Sequence, residues 1–350
     1  MTGANAASSA RAKLSRIRAL CGAGFTAPDL PAELLEALRE VVPHDAACWG
    51  LADQGTLWPV TNTSTFPGRA HMGTLWEYEI TVPDLLKLND LMRPPGRAGA
   101  LSAVSDGDPY RSARYRAVLS KLALADELRV GLTAKGAAWG YLVLLRRVGC
   151  FTAAETALLA CAAPMLGAAL CDAVVSGCAA SEEEEAGPAV LVLDQRGTCV
   201  SLTRQARGYL SLPVSRTSPR LPQAIHLVAA RARAATAGQG TQAARAVIPS
   251  SAGWLSCQGA TLDDAGSVAI TLHPAKVSDI APVVLAAYGL TAREREIATA
   301  ALRAESTAAI AKRLYLSPWT VQDHLKSVFD KTGVRSRAGL RLRFLPPPGP

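Results

Sequence analysis

Leu316-Ser-Pro-Trp-Thr-Val-Gln-Asp-His-Leu-Lys-Ser-Val-Phe-Asp-Lys-Thr332 is the stretch on which the fold turns. Ser317 followed by Pro318 is a strong helix start: the serine oxygen accepts from a free first-turn N–H, and proline sits where its missing N–H costs nothing. The spacing predicts a helix running to about Thr332. At about 100° per residue, Leu325, Val328 and Thr332 fall within about 40° of Val321 and make one apolar face. Trp319, Gln322, Asp323, Lys326 and Asp330 point the other way.

Upstream, Ser306 caps a shorter helix that carries Ile310, Ala311 and Leu314 inward, and Tyr315-Leu-Ser317 forms the turn. The Ala311 methyl lets two helices pack closely, while Leu316 plugs the angle between them. Further back, Thr291-Ala-Arg-Glu294 is a capping box, with the threonine hydroxyl and the glutamate carboxylate each taking the other residue's backbone N–H. It opens a helix with the apolar stripe Ile297, Ala300 and Ala301 that should end near Ala304.

The series Leu290-Thr-Ala-Arg-Glu-Arg-Glu-Ile297, Ile310-Ala311, Leu316 to His324 and Lys331-Thr-Gly-Val-Arg-Ser-Arg337 closely resembles the LuxR-type domain over about 55 residues. The resemblance implies an all-α four-helix domain at 286–345, with a helix-turn-helix unit from Thr307 to Lys326 and a fourth helix that often supports dimerisation. It implies double-stranded DNA as partner. Carried over by position, Thr307, Ser317, Trp319, Thr320, Gln322, Asp323 and Lys326 would lie at or near the DNA, with Lys331, Arg335 and Arg337 near phosphates. The chemistry suits those places, since glutamine can pair with adenine and lysine can meet guanine or phosphate. Three positions depart from the pattern. Gln322 stands where lysine is common, Ala304 where glycine is common, and Gly339 lowers the propensity of the fourth helix, which Pro346-Pro-Pro348 should end early.

Charge agrees with that partner. Residues 279–350 hold 3 Lys and 8 Arg against 3 Asp and 3 Glu, so they carry +5 of the total +8. Concentrated positive charge favours a polyanion, because each neutralised phosphate releases counterions. The eight cysteines show no C-x-x-C pair and no ligand-like spacing with the five histidines, which argues against a metal site. Most of them lie beside apolar residues, as in Ala47-Cys48-Trp49, so they read as reduced core cysteines of a cytoplasmic chain. No membrane partner is expected: the longest uncharged apolar stretch, Thr156 to Cys171, is 16 residues with Pro164 inside it, and a spanning helix needs about 20.

At 350 residues the chain should divide into two or three domains. Residues 1–18, free of acids and carrying Arg11, Lys13, Arg16 and Arg18, read as a disordered start leading into a helix. A first α+β block covers 19–178: the helix Pro31–Val42, strands at Asp45–Leu51 and Gly136–Leu145, and a long closing helix Thr152–Val175. The acidic run Ser181-Glu-Glu-Glu-Glu-Ala-Gly-Pro188 reads as a linker at 179–188. A second, smaller α+β block covers 189–278, opening on two strands joined by Asp194-Gln-Arg-Gly197, and residues 346–350 read as a disordered tail. The first block is similar to a GAF-type sensor domain and the second to a PAS-like domain. Each similarity implies a pocket against a curved sheet that could take a small molecule, although such domains also serve for dimerisation alone.

The reading is therefore a DNA-binding transcription regulator, a homodimer that is not an enzyme, with two sensor-like blocks controlling the last domain. No cofactor is implied and no catalytic residue stands out. An alternative is an enzyme or ligand-binding module in residues 19–278 that uses the tail for partner binding. Yet no Ser-His-Asp, paired-carboxylate, P-loop or metal pattern has workable spacing. His44-Asp45 reads as a turn, and neither His226 nor His273 has a visible partner. A phosphorylated receiver is disfavoured too, because the chain lacks the opening strand and acidic pair that such a domain requires.

Overall fold

Strand β5, Ala137–Arg146, explains the first block, because its side chains are buried on both sides along nearly its whole length. Ala137, Trp139, Leu142 and Leu144 enter one apolar cluster, whereas Ala138, Tyr141, Val143 and Leu145 enter another. A strand with two covered faces reads as a continuous apolar run, as this one does. The structure is a computed structural model that describes residues 12, 14–24, 32–53, 57–61, 63–66, 71–176, 188–212, 221–238, 244–250 and 253–344. Most of the expected acidic linker and the whole 346–350 tail lie outside those residues.

Five antiparallel strands form the first sheet: β1 Ala46–Leu51, β2 Thr63–Ser64, β3 Ala98–Ala100, β4 Asp126–Ala134 and β5, in the order β2-β1-β5-β4-β3. Helix α1, Ala32–Val41, and the long α3, Ala153–Ser176, belong to the cluster on one face. Helix α2, Met72–Thr81, puts Trp76 into the cluster on the other. The long helix is the expected Thr152–Val175 element. Its Ala153–Val175 segment is apolar enough to cross a bilayer, yet it packs on β4 and β5 with 56% of its most apolar window buried. Gly167 allows the close approach, since a Cβ there would meet the Thr133 backbone oxygen at 2.7 Å. Residues 14–22 are helical and Ile17 is fully buried, so order begins before the expected boundary at residue 19.

Strand β4, whose Asp126-Glu127 and Arg129 break an apolar pattern, is buried along all but its last residue. Its charges survive burial because they pair. Glu127 Oε2 accepts from Arg114 Nε at 2.9 Å and Nη2 at 2.7 Å, and Glu127 Oε1 accepts from Arg129 Nε at 2.8 Å. Arg129 Nη1 donates to Glu79 Oε2 at 2.8 Å, while Asp84 lies 3.1 Å from Arg114 Nη1. Glu127 is held below the usual carboxylate range: burial pushes it up, but the two guanidiniums outweigh that.

The second block repeats the same strand arrangement. Strands β6 Ala189–Leu193, β7 Cys199–Leu202, β8 Arg245–Ser250, β9 Gly253–Thr261 and β10 Val268–Pro274 pair antiparallel in the order β7-β6-β10-β9-β8. The Asp194-Gln-Arg-Gly turn forms as expected, with Asp194 Oδ1 accepting from the Arg196 and Thr198 N–H groups and Gly197 at φ 80°. Helix α4, Arg204–Tyr209, and helix α5, Gln223–Thr236, cover one face. The other face is half exposed, which is why β6 and β10 alternate.

The two blocks are less separate than the acidic run suggests, because one apolar cluster holds Leu142, Leu166, Leu191, Ile225 and Ile270 together. Helix α6, Val277–Ala287, which falls largely in the unassigned stretch between the expected domains, extends that continuity. Its Ile280, Val283 and Ala286 enter the shared core, while Ala281 and Leu285 enter the core of the C-terminal helices. Cys48, Cys171, Cys199 and Cys257 are buried as expected, but Cys150 and Cys161 are exposed.

Candidate nucleic-acid interface

Four helices form the C-terminal domain: α7 Ala292–Leu302, α8 Thr307–Leu314, α9 Pro318–Thr332 and α10 Arg337–Phe344. Their starts are set by the expected caps. Thr291 Oγ1 accepts from the Glu294 N–H at 3.2 Å and Glu294 Oε2 from the Thr291 N–H at 2.6 Å. Ser306 accepts from Ala309 at 3.1 Å and Ser317 from Thr320 at 3.0 Å. Each cap satisfies an N–H the helix itself cannot.

Helix α7 stops at Leu302, near Ala304 as expected, and Ala304 itself takes a left-handed φ of 62°. That conformation suits glycine, so the alanine is strained there. Ala304→Gly is expected to raise the stability of this domain by about 0.5–1 kcal/mol, read as a higher denaturant midpoint with an unchanged slope. Gly333 ends α9 in the same conformation at φ 70° without strain. The fourth helix forms despite Gly339, whose N–H donates to Ser336 Oγ at 3.0 Å, and it anchors through buried Leu340.

Val321, Leu325, Val328 and Thr332 face inward together with Ile297, Ala300, Ala301, Ile310 and Ala311. Leu316 is half-buried against that core. The opposite face of α9 is open: Trp319 is 75% exposed, and Gln322, Asp323, Lys326 and Asp330 are exposed too. Among the described residues, Lys326 and Arg335 form no ion pair or hydrogen bond, so both present free charge. Thr320 is half-buried at the helix start beside Ser317, its Oγ1 2.8 Å from Ser317 Oγ.

Lys331 and Arg337, expected near phosphates, also make bonds inside the domain. Lys331 Nζ donates to both oxygens of Glu294 at 2.9 and 2.7 Å, and Ser327 Oγ donates to the same carboxylate at 2.6 Å. Glu294 thereby ties α7 to α9. Burial pushes its carboxyl up, but Lys331, Ser327 and Thr291 more than offset this and hold it at about 2. Arg337 donates to the Glu305 carbonyl at 2.7 Å and to Thr307 Oγ1 at 2.9 Å, and Gln322 Nε2 lies 3.4 Å from the same hydroxyl. Thr307 thus meets Arg337 and Gln322 at one point.

Tyr315 opens the expected turn between α8 and α9. It caps α8 at φ 53° and is 96% exposed, four residues before Trp319. The turn position was readable, but nothing in the sequence foretold the exposure.

Residues 289–343 match the luxR family of bacterial regulatory proteins. This domain belongs to that family. The luxR-type domain accounts for a C-terminal part of the chain, and a comparison with curated proteins matched none. Among solved structures, the phage VqmA–DPO complex is 18% identical, covering 44% of this chain and 78% of that chain at a TM-score of 0.24. The DhaR(N)–DhaL complex of E. coli is 16% identical, covering 79% and 92% at 0.26. The bacteriophytochrome RpBphP3 of R. palustris is 10% identical, covering 78% and 63% at 0.29. None of these three bears on the present fold or function at such scores.

Proposed function

We propose that this chain is a sequence-specific transcription regulator, in which GAF-like and PAS-like blocks sense a small molecule or partner and control the luxR-type domain. The observation that carries the reading is the open face of α9, where Trp319, Gln322, Asp323 and Lys326 stand clear of a helix whose other side is fully packed. On this reading α9 enters the major groove, Gln322 and Asp323 meet base edges, and Thr307, Ser317, Thr320 and Arg335 adjoin the backbone. Lys331 and Arg337, which brace the helices through Glu294 and Thr307, also lie near phosphates. The chain acts in the cytoplasm as a homodimer, with two half-sites about one helical turn apart.

What supports sensor control is α6, whose two faces join the shared core and the DNA-binding core. A ligand that favours one packing of the blocks shifts the position of the luxR-type domain by its differential affinity. The test is binding of the full chain to the DNA upstream of its own gene at rising salt. Lys326→Ala is expected to weaken binding on every sequence and to make the salt slope shallower by about 0.9, one phosphate's share. Binding by the parent chain that is weak and indifferent to sequence would refute the regulator reading.

A further inference from the structure

Helix α2 of the first block packs on helix α5 of the second, and Leu227 of α5 enters the apolar cluster beneath α2. Beside that contact lies a cleft of about 500 Å³, bounded by α2, by α5 and by the turn between β6 and β7. A cleft of this size admits a whole small molecule rather than a single ion. Its polar lining comes from Thr74 and Glu77 on α2, Gln195 and Arg196 on the turn, and His226 and Arg233 on α5.

Arg233 sets the chemistry. It is half-buried, and two backbone carbonyls fix it: Nε donates to Gly266 at 2.8 Å and Nη2 to Asp194 at 2.8 Å. Those carbonyls orient the guanidinium without neutralising it, and among the described residues its Nη1 donates to nothing. Buried Arg114 and Arg129 each pair with carboxylates, whereas among the described residues Arg233 pairs with none. The Asp194 carboxylate is turned instead to the N–H groups of its own turn.

Arg196 is exposed on that turn, and among the described residues its side chain likewise has no partner. Burial and the neighbouring Arg233 push His226 below its ordinary value, so it is uncharged near neutral pH. Two guanidiniums thus share the cleft with one carboxylate, Glu77. An anionic group would offset that excess and take charge-assisted hydrogen bonds from a planar donor already held in place. A cation would add to the excess. Glu77, on the α2 side, is an acceptor for hydroxyl groups.

We infer that this cleft binds a small hydroxylated organic anion, with its oxyanion on Arg233 and Arg196 and its hydroxyl groups on Glu77. The inference rests on the sensor reading above and gives it a site and a ligand class. Such a ligand bridges the two blocks and favours the packing in which α2 and α5 meet.

The test uses the full chain and four molecules with similar hydroxylated bodies: gluconate, glucose 6-phosphate, glucose and glucosamine, with dissociation constants from calorimetry or ligand-observed NMR. The carboxylate or the phosphate ester is expected to bind about tenfold better than glucose, the effect of one hydrogen bond to a charged group. The better of the two identifies the oxyanion, and its advantage should shrink as salt rises. Glucosamine, a cation at neutral pH, should bind no better than glucose. Arg196→Ala, on an exposed turn, should weaken the preferred anion about tenfold and leave glucose unchanged. The inference is overturned if neither anion exceeds glucose, if glucosamine binds best, if nothing binds, or if Arg196→Ala leaves the anion's affinity as it was. DNA affinity measured on the same preparation separates the two readings. Absence of probe binding with DNA binding intact removes the site alone, whereas probe binding that leaves DNA affinity unmoved removes the control and keeps the site.

Discussion

Glu127→Ala is expected to destabilise the first block by about 3–5 kcal/mol, the usual consequence of stripping one partner from a buried ionic network. Glu127 is 2% exposed and takes three donors from two guanidiniums, and Arg114 itself is 1% exposed. Without the carboxylate, Arg114 keeps Asp84 and Arg129 keeps Glu79, but both buried guanidiniums lose an ion pair. Replacing the pairs with apolar groups would cost far less, because the penalty comes from the stranded charges. Urea denaturation of the full chain measures it. A loss under about 1 kcal/mol would show that water reaches the network and that its charges are not confined.

Glu294→Gln is expected to remove up to about 3 kcal/mol from the luxR-type domain near neutral pH, the order of magnitude of holding a carboxyl at about 2 against its ordinary 4.5. The sign follows from which state binds the proton. Above pH 4.5 the carboxylate is charged in both folded and unfolded chains and its stabilisation is complete. As pH falls from about 4.5 towards 2, the unfolded chain takes up a proton first, and the stabilisation is lost. Glutamine keeps the shape and part of the cap but forfeits the ion pair with Lys331. In Glu294→Gln the acid-dependent part of the unfolding curve over that window should flatten. A curve as steep as the parent's would place the acid sensitivity elsewhere.

The luxR-type domain was legible because local signals set it. Ser317-Pro318, the Thr291–Glu294 box and the 3.6-residue spacing of Val321, Leu325 and Val328 act within a few residues of each other. The long α3 and the strand at 137–146 were legible for the same reason, through unbroken apolar runs. What escaped depends on contacts distant in sequence. Strand β4 carries Asp126, Glu127 and Arg129, which no local pattern admits to a buried strand, and it holds only because Arg114 and Glu79 arrive from other elements. Helix α6 contains Pro282, a residue that ordinarily ends helices, and its two cores exist only once all three parts have folded. In each case burial was decided by a remote partner, and composition could not reveal it.

The open face of α9 is expected to read bases. This is tested most directly by selecting bound sequences from a random DNA pool with the parent chain and with Gln322→Ala. The parent is expected to select a two-half-site motif, and the variant a motif relaxed by about 1–3 kcal/mol at one base pair of each half-site, with the others retained. An identical motif from both proteins would contradict it and move the reading surface off this helix.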